Sequence, residues 1–148
     1  MGSIYGHQRH HPGGIGYGWA AVSIKRDQAD IWCSKVVRAR DGQCIRCGTT
    51  EGLEAMHVVG RKSKILRYSL DNLATGCHRC HRWFTENPLQ FIDHLTMVWG
   101  EGHMELLREK SRENLKTTKE LRKEISAHYR SEFRKMEENP KHEPESWN

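Results

Sequence analysis

Cys44-Ile45-Arg46-Cys47-Gly48 and, after an interval of 29 residues from Cys47, Cys77-His78-Arg79-Cys80-His81 are the stretches whose reading decides the fold. Each is a C-x2-C turn. Two such turns bring four thiolates to one ion, and four sulfur donors make a tetrahedral cage for zinc. Gly48 lets the first turn close sharply. Cys44, Cys47, Cys77 and Cys80 therefore read as a structural zinc site. Such a site contributes folding free energy, because the unfolded chain has no preformed cage. It has no open coordination position and does no chemistry itself. The fifth cysteine, Cys33, falls in a predicted helix and reads as a small buried hydrophobe.

Between the turns, Leu53 to Val59 reads as a strand with Leu53, Ala55, His57 and Val59 on one face. Gly60 to Tyr68 is a basic loop. A short second strand follows from Leu73 to Thr75, and the second cysteine pair opens a short helix through Trp83-Phe84. Upstream, a helix begins near Asp27 to Asp30, buries Ile31, Trp32, Val36 and Val37, and ends at Asp41-Gly42. Downstream, Asn87-Pro88 starts a helix, Asn87 capping with its side chain. Phe91, Ile92, Leu95, Val98 and Trp99 form its buried face, and Gly100 stops it. From about His103 the chain is charged and helical, with a thin stripe of Leu107, Leu121, Ile125, Tyr129, Phe133 and Met136. That stripe is consistent with packing on the domain, pairing with another chain in a homodimer, or a partner-binding helix. Beyond Asn139-Pro140 fraying is expected. The expected organisation is a flexible Gly- and His-rich arm (1–26), a small α+β domain (27–100) and a charged helical extension (101–148).

The chain has 148 residues and a net charge of +5, with 36% hydrophobic and 29% charged residues. These values exclude a collagen-like chain, and no apolar run reaches the ~18–20 residues that span a bilayer. No apolar leader is visible, which argues against a secreted disulfide knot. From Cys33 to Arg82 there are ten Lys or Arg against four Asp or Glu. A basic central block points to a polyanionic partner, nucleic acid first.

The order Cys44-x2-Cys47, His57, Asn72, Cys77-x2-Cys80-His81, set on strand, basic loop, strand and helix, resembles the HNH endonuclease family in its zinc-stapled ββα-metal form. The resemblance covers about residues 40 to 86. The wider context is similar to phage recombination endonucleases of the NinG/Rap type. Ile31-Trp32-Cys33-Ser34-Lys35, His57-x3-Arg61, Arg67 before Asn72, the Asn87-Pro88 helix and the charged C-terminal helix carry that likeness. The resemblance implies a metal-dependent DNA endonuclease acting on branched recombination intermediates, in the cytoplasm of a bacterial host cell. Its products would carry a 5′ phosphate and a 3′ hydroxyl.

The resemblance also gives roles. His57 is the general base, a task suited to an imidazole with an ordinary pKa near ~6.5. His81 is the ligand of a catalytic Mg2+ or Mn2+, with His78 as a rival. Asn72 either bonds the loop backbone and holds His57 in aim, or ligates the metal through its oxygen. One departure stands out: Met56 precedes the base where many HNH proteins carry Asp or His, and a thioether does not suit magnesium. Glu54 and Asp71 are the nearby acidic candidates. Arg61, Lys62, Lys64 and Arg67 on the loop, with Arg79 and Arg82 on the helix, are expected to contact DNA phosphates. Met56 favours the alternative of a non-catalytic zinc module that binds nucleic acid or protein.

Overall fold

The computed structural model describes residues 25–148, so most of the 1–26 arm lies outside the described residues. The elements run α1 (Gln28–Asp41), β1 (Leu53–His57), a 3-10 turn (Leu70–Asn72), β2 (Leu73–Cys77), α2 (His78–Glu86), α3 (Pro88–Trp99), α4 (Glu101–Lys110) and α5 (Lys119–Glu138). This is a small α+β architecture around a two-stranded antiparallel sheet. The register pairs Leu53 with Cys77 at one end and His57 with Leu73 at the other.

Local chemistry sets the helix ends. Asp27 caps α1 and forms a reciprocal box with Asp30, each carboxylate accepting the other's backbone N–H at 2.9 Å. Gly42 closes α1 in the left-handed region at φ 66°. Its last turn then grips β2. Asp41 accepts the Thr75 N–H at 2.9 Å, and Arg40 donates to the Leu70 and Leu73 carbonyls at 3.1 and 2.8 Å. Ile45 N–H donates to the Thr75 carbonyl at 2.9 Å. The outer edge of β2 is thus covered by the chain itself, which removes a template for unwanted strand pairing.

The sheet has a core on each side. Ala29, Cys33, Val36 and Val37 of α1 pack with Tyr68, Leu73, Ile125 and Tyr129, and with Ala55 of β1. Met56, Leu66 and Ala74 pack with Phe84, Phe91, Leu95, Met104 and Leu107 of α2, α3 and α4. Alternation along β1 sorts Ala55 and Met56 into opposite cores. β2 is buried along its whole length because both sides are covered. Gly76 makes room for Met56: a Cβ there would fall 2.5 Å from the methionine sulfur. Cys33 is buried, as expected for a small hydrophobe, and its thiol lies 3.3 Å from the Tyr68 carbonyl.

Four local expectations are corrected. Asn87 does not cap α3; its side chain donates to the Trp83 carbonyl at 2.8 Å and closes the end of α2. Val98 is 51% exposed and drops out of the core face of α3, where Phe91 and Leu95 are buried and Ile92 and Trp99 pack half-buried against the second core. The charged C-terminal stretch is two helices rather than one. Residues 111–118 break it, and Thr118 caps α5 by accepting the Leu121 N–H at 3.1 Å. Leu107 consequently belongs to the second core, while Leu121, Ile125, Tyr129, Phe133 and Met136 pack against α1. Finally, residues beyond Asn139 return to the body: Trp147 packs against the first core and the Asn148 amide donates to the Ile65 carbonyl at 2.9 Å. Among the described residues, no helix is long and apolar enough to cross a membrane.

Candidate metal centre and catalytic pocket

The ligand atoms of Cys44, Cys47, Cys77 and Cys80 all lie within 4.8 Å of one another. A tetrahedral zinc with Zn–S bonds near ~2.3 Å sets its sulfurs about 3.8 Å apart. Cys47 Sγ and Cys77 Sγ are separated by 3.7 Å. The donor set therefore fits zinc in both chemistry and size. Burial opposes ionisation of Cys44, yet backbone N–H donors at Cys47, Cys77 and Arg46 outweigh it and lower the thiol to about 6. Gly48, at φ 72°, shapes the first turn, and its N–H returns to the Cys44 carbonyl at 2.9 Å. The Arg46 guanidinium reaches Cys80 Sγ at 3.8 Å and lies 3.8 Å from the Trp83 ring centroid. The site joins the loop before β1 to the start of α2.

Beside it opens a pocket of about 280 Å³. His57, Glu54 and His81 line it, with Asp30, Ser34 and Arg38 from α1, Arg26 from the segment before it, and Arg61 and Arg67 from the loop. His57 and His81 thus face one space. His57 Nε2 is 2.9 Å from the Arg67 carbonyl. A carbonyl only accepts, so Nε2 carries the proton and Nδ1 keeps a lone pair. Burial holds the His57 pKa below its ordinary value, against the Arg67 carbonyl, which raises it. The ring is therefore neutral at pH 7.

His81 is built differently. Its Nδ1 lies 2.6 Å from Glu54 Oε2, and His78 Nδ1 lies 2.9 Å from Glu54 Oε1. One carboxylate bridges both helix histidines, which hold the Glu54 carboxyl below its ordinary pKa. Donation from His81 Nδ1 leaves Nε2 as the ligand nitrogen, the pattern by which carboxylates orient metal-binding histidines. Of the two acidic candidates, Glu54 is at the pocket; Asp71 is not among its lining residues and lies 3.8 Å from Lys110. Met56 points into the second core and is 1% exposed. Its thioether faces away from the His57 side of the strand.

Asn72 is fully buried. Its oxygen accepts the Val59 N–H at 2.7 Å, and its amide donates to the Val59 and Leu66 carbonyls at 2.9 and 3.0 Å. Of its two expected jobs, the backbone-holding one matches this geometry. It fixes both ends of the loop whose Arg67 carbonyl holds His57.

Arg67 does not present its guanidinium to solvent. It is 6% exposed and forms a two-pronged pair with Asp30, Nη2–Oδ2 at 2.6 Å and Nε–Oδ1 at 3.1 Å. It also donates to the Lys25 carbonyl at 3.1 Å. Lys62, Arg79 and Arg82 are exposed, while Lys64 and Arg61 are half-buried. Asp30 and Arg38 were not singled out by motif. Their signal is a polar i, i+4, i+8 series, Asp30, Ser34 and Arg38, along the pocket side of α1.

A family model described as Bacteriophage Lambda NinG protein matches residues 24–139. The chain belongs to the NinG family. No curated protein and no solved structure matches it. The matched span runs from the start of α1 to the end of α5, so in this NinG chain it takes in the sulfur cage, the pocket and the helix that closes the first core.

Proposed function

We propose that this NinG-family chain is a metal-dependent DNA endonuclease of the HNH type, acting on branched recombination intermediates in a phage setting. The observation that carries the reading is the pairing of imidazoles in one basic pocket, His57 bonded through Nε2 and His81 through Nδ1, which leaves the other nitrogen of each ring without a hydrogen bond among the described residues. The neutral His57 takes a proton from water at Nδ1. The Arg67 carbonyl stabilises the resulting imidazolium through Nε2–H. Glu54 keeps His81 in one tautomer. Arg26, Arg38 and Arg61 place positive charge where a phosphate would enter. Mg2+ or Mn2+ on His81 Nε2 would supply charge stabilisation at the departing 3′ oxygen. Among the described residues only the four cysteines gather three or more close donor residues, so the rest of that ion's shell falls to water and phosphate oxygens.

The reading as a non-catalytic zinc module drew on Met56, which packs on the other side of the strand. Cleavage of plasmid and branched duplexes with Mg2+ or Mn2+ separates the two readings. His57→Ala is expected to lower cleavage by about 10²–10⁴-fold while DNA binding persists. Wild-type rates in that variant would remove His57 as the base. No cleavage by the wild-type chain on any substrate would favour the binding module.

A further inference from the structure

α5 carries a second basic surface that the sequence motifs do not mark. Lys119, Arg122, Lys123, Arg130 and Arg134 follow one another in helical steps along one side, around the small residues Ser126 and Ala127. No acidic residue falls on this stripe between Lys119 and Arg134. Lys119, Lys123, Arg130 and Arg134 are exposed, and Arg122 is half-buried, its Nε 3.9 Å from Asp27. Lys119, Lys123 and Arg134 have no acidic partner among the described residues. Repelling cations held side by side without counter-charges are the mark of a surface that meets an anion.

The stripe borders a groove of about 480 Å³ between α5 and the first turn of α1. Asp27 and Ala29 line this groove, whereas Arg26 and Asp30 line the catalytic pocket. The two depressions therefore flank the same helical turn, with exposed Lys25 and Arg26 beside it. At ~1.5 Å per residue, the fifteen steps from Lys119 to Arg134 extend about 22 Å. That length matches roughly six base pairs of duplex at ~3.4 Å each.

We propose that the α5 stripe is a second DNA-backbone site, which tracks the phosphates of a duplex arm leading away from the catalytic pocket. This rests on the reading of the chain as DNA-acting. Lys119 and Lys123 are point charges on flexible stems, and the Arg130 guanidinium lies 5.2 Å from the Trp32 ring centroid with its charge still exposed; cations so placed suit sequence-independent phosphate contact.

The test uses the full chain, a fluorescein-labelled branched duplex and anisotropy without added divalent metal, over a range of salt. Lys123→Gln with Arg130→Gln is compared with Arg112→Gln and Lys141→Gln, which removes the same charge from exposed positions off the stripe. Loss of two phosphate contacts makes the log affinity–log salt slope shallower by about 2. The first variant should show this and the second should stay near wild type. Equal slopes in the two variants, or a wild-type slope in the first, would overturn the stripe while leaving the endonuclease reading intact. A wild-type chain that binds no DNA would overturn both.

Discussion

The two ends of β1 are fixed by opposite means. At the Leu53 end, four sulfurs from two distant turns converge in a cage that could hold a zinc ion. At the His57 end no such cage exists among the described residues. A buried polar network takes its place: Asp30 holds Arg67, Asn72 holds the loop, and the Arg67 carbonyl holds His57. The strand between them has only five residues, so the ends are about 13 Å apart. His81 follows Cys80 directly and belongs to the sulfur-cage end. The pocket therefore joins one imidazole set beside the sulfur cage and oriented by Glu54 to another oriented by the Arg67 carbonyl. The two should be separable by experiment.

Metal removal should break the comparison most strongly. Apparent binding free energies of structural zinc in small domains, ~10–16 kcal/mol, are comparable with a whole domain's stability of ~5–15 kcal/mol. Cys77→Ser with Cys80→Ser, or exhaustive chelation, should collapse the near-ultraviolet dichroism and the melting transition. About one zinc per wild-type chain is expected by elemental analysis. A metal-free chain with an unaltered melt would show that hydrogen bonds and packing hold both ends.

Asp30→Ala attacks the other end. Among the described residues it leaves the buried Arg67 guanidinium with the Lys25 carbonyl, the Tyr68 ring and the more distant Asp27, at 3.8 Å. Breaking a buried pair by removing one partner costs about 3–5 kcal/mol. Denaturant melts should show that loss while the zinc content stays at one per chain. A coincident loss of zinc would mean that the ends are one cooperative unit.

The sulfur-cage end was legible from sequence and the hydrogen-bonded end was not. Cysteine pairs announce themselves because both ligands of a turn lie within four residues. The capped limits of α1 were legible for the same reason, since Asp27, Asp30 and Gly42 act on their immediate neighbours. Asp30 and Arg67 are 37 residues apart, and nothing in either neighbourhood names the other. Arg67 was expected at a phosphate because a basic loop gives no sign of which cation turns inward. Glu54 stayed ambiguous because alternation sets it on the Met56 side, while its contact with α2 is a tertiary fact. The break between α4 and α5 was hidden by spacing: Leu107 and Leu121 are fourteen residues apart, near four helical turns, and mimic one continuous stripe.

Asn72→Ala sharpens the comparison at smaller cost. It strands the Val59 N–H and the Val59 carbonyl, while the Leu66 carbonyl keeps the Ser69 N–H at 3.1 Å, with a penalty of about 1–3 kcal/mol for a buried unsatisfied group. Beyond stability, the loop carrying the Arg67 carbonyl should loosen, and the His57 ring should lose its fixed tautomer. Nitrogen chemical shifts of the imidazole report this. Unchanged His57 shifts would leave Asn72 with a purely structural part. The His57 pKa itself is held low by burial, so the folded chain binds fewer protons there than the unfolded chain. This site should cost stability as pH falls below about 6.5. On the proposed endonuclease reading, the acid limb of cleavage should also lie below that value.

The smallest effect concerns neither end of β1 but the segment that closes over α5. Glu132 is 1% exposed. It accepts from Lys135 at 2.5 Å, His142 at 2.8 Å and the Glu145 N–H at 3.0 Å. Burial pushes its pKa up, but these donors prevail and hold it down to about 2. A carboxyl depressed on folding stabilises fully above its unfolded value near ~4.3, and the contribution fades as pH falls toward the folded one. Residues 139–148 should therefore detach on acidification through that window, before the α1–α5 core opens. Hydrogen exchange at Glu145 and Trp147 follows the detachment. Glu132→Gln should make their exchange fast already at neutral pH and flatten its dependence below pH ~4.3. If exchange there stays slow in the variant, Trp147 packing alone seats the segment.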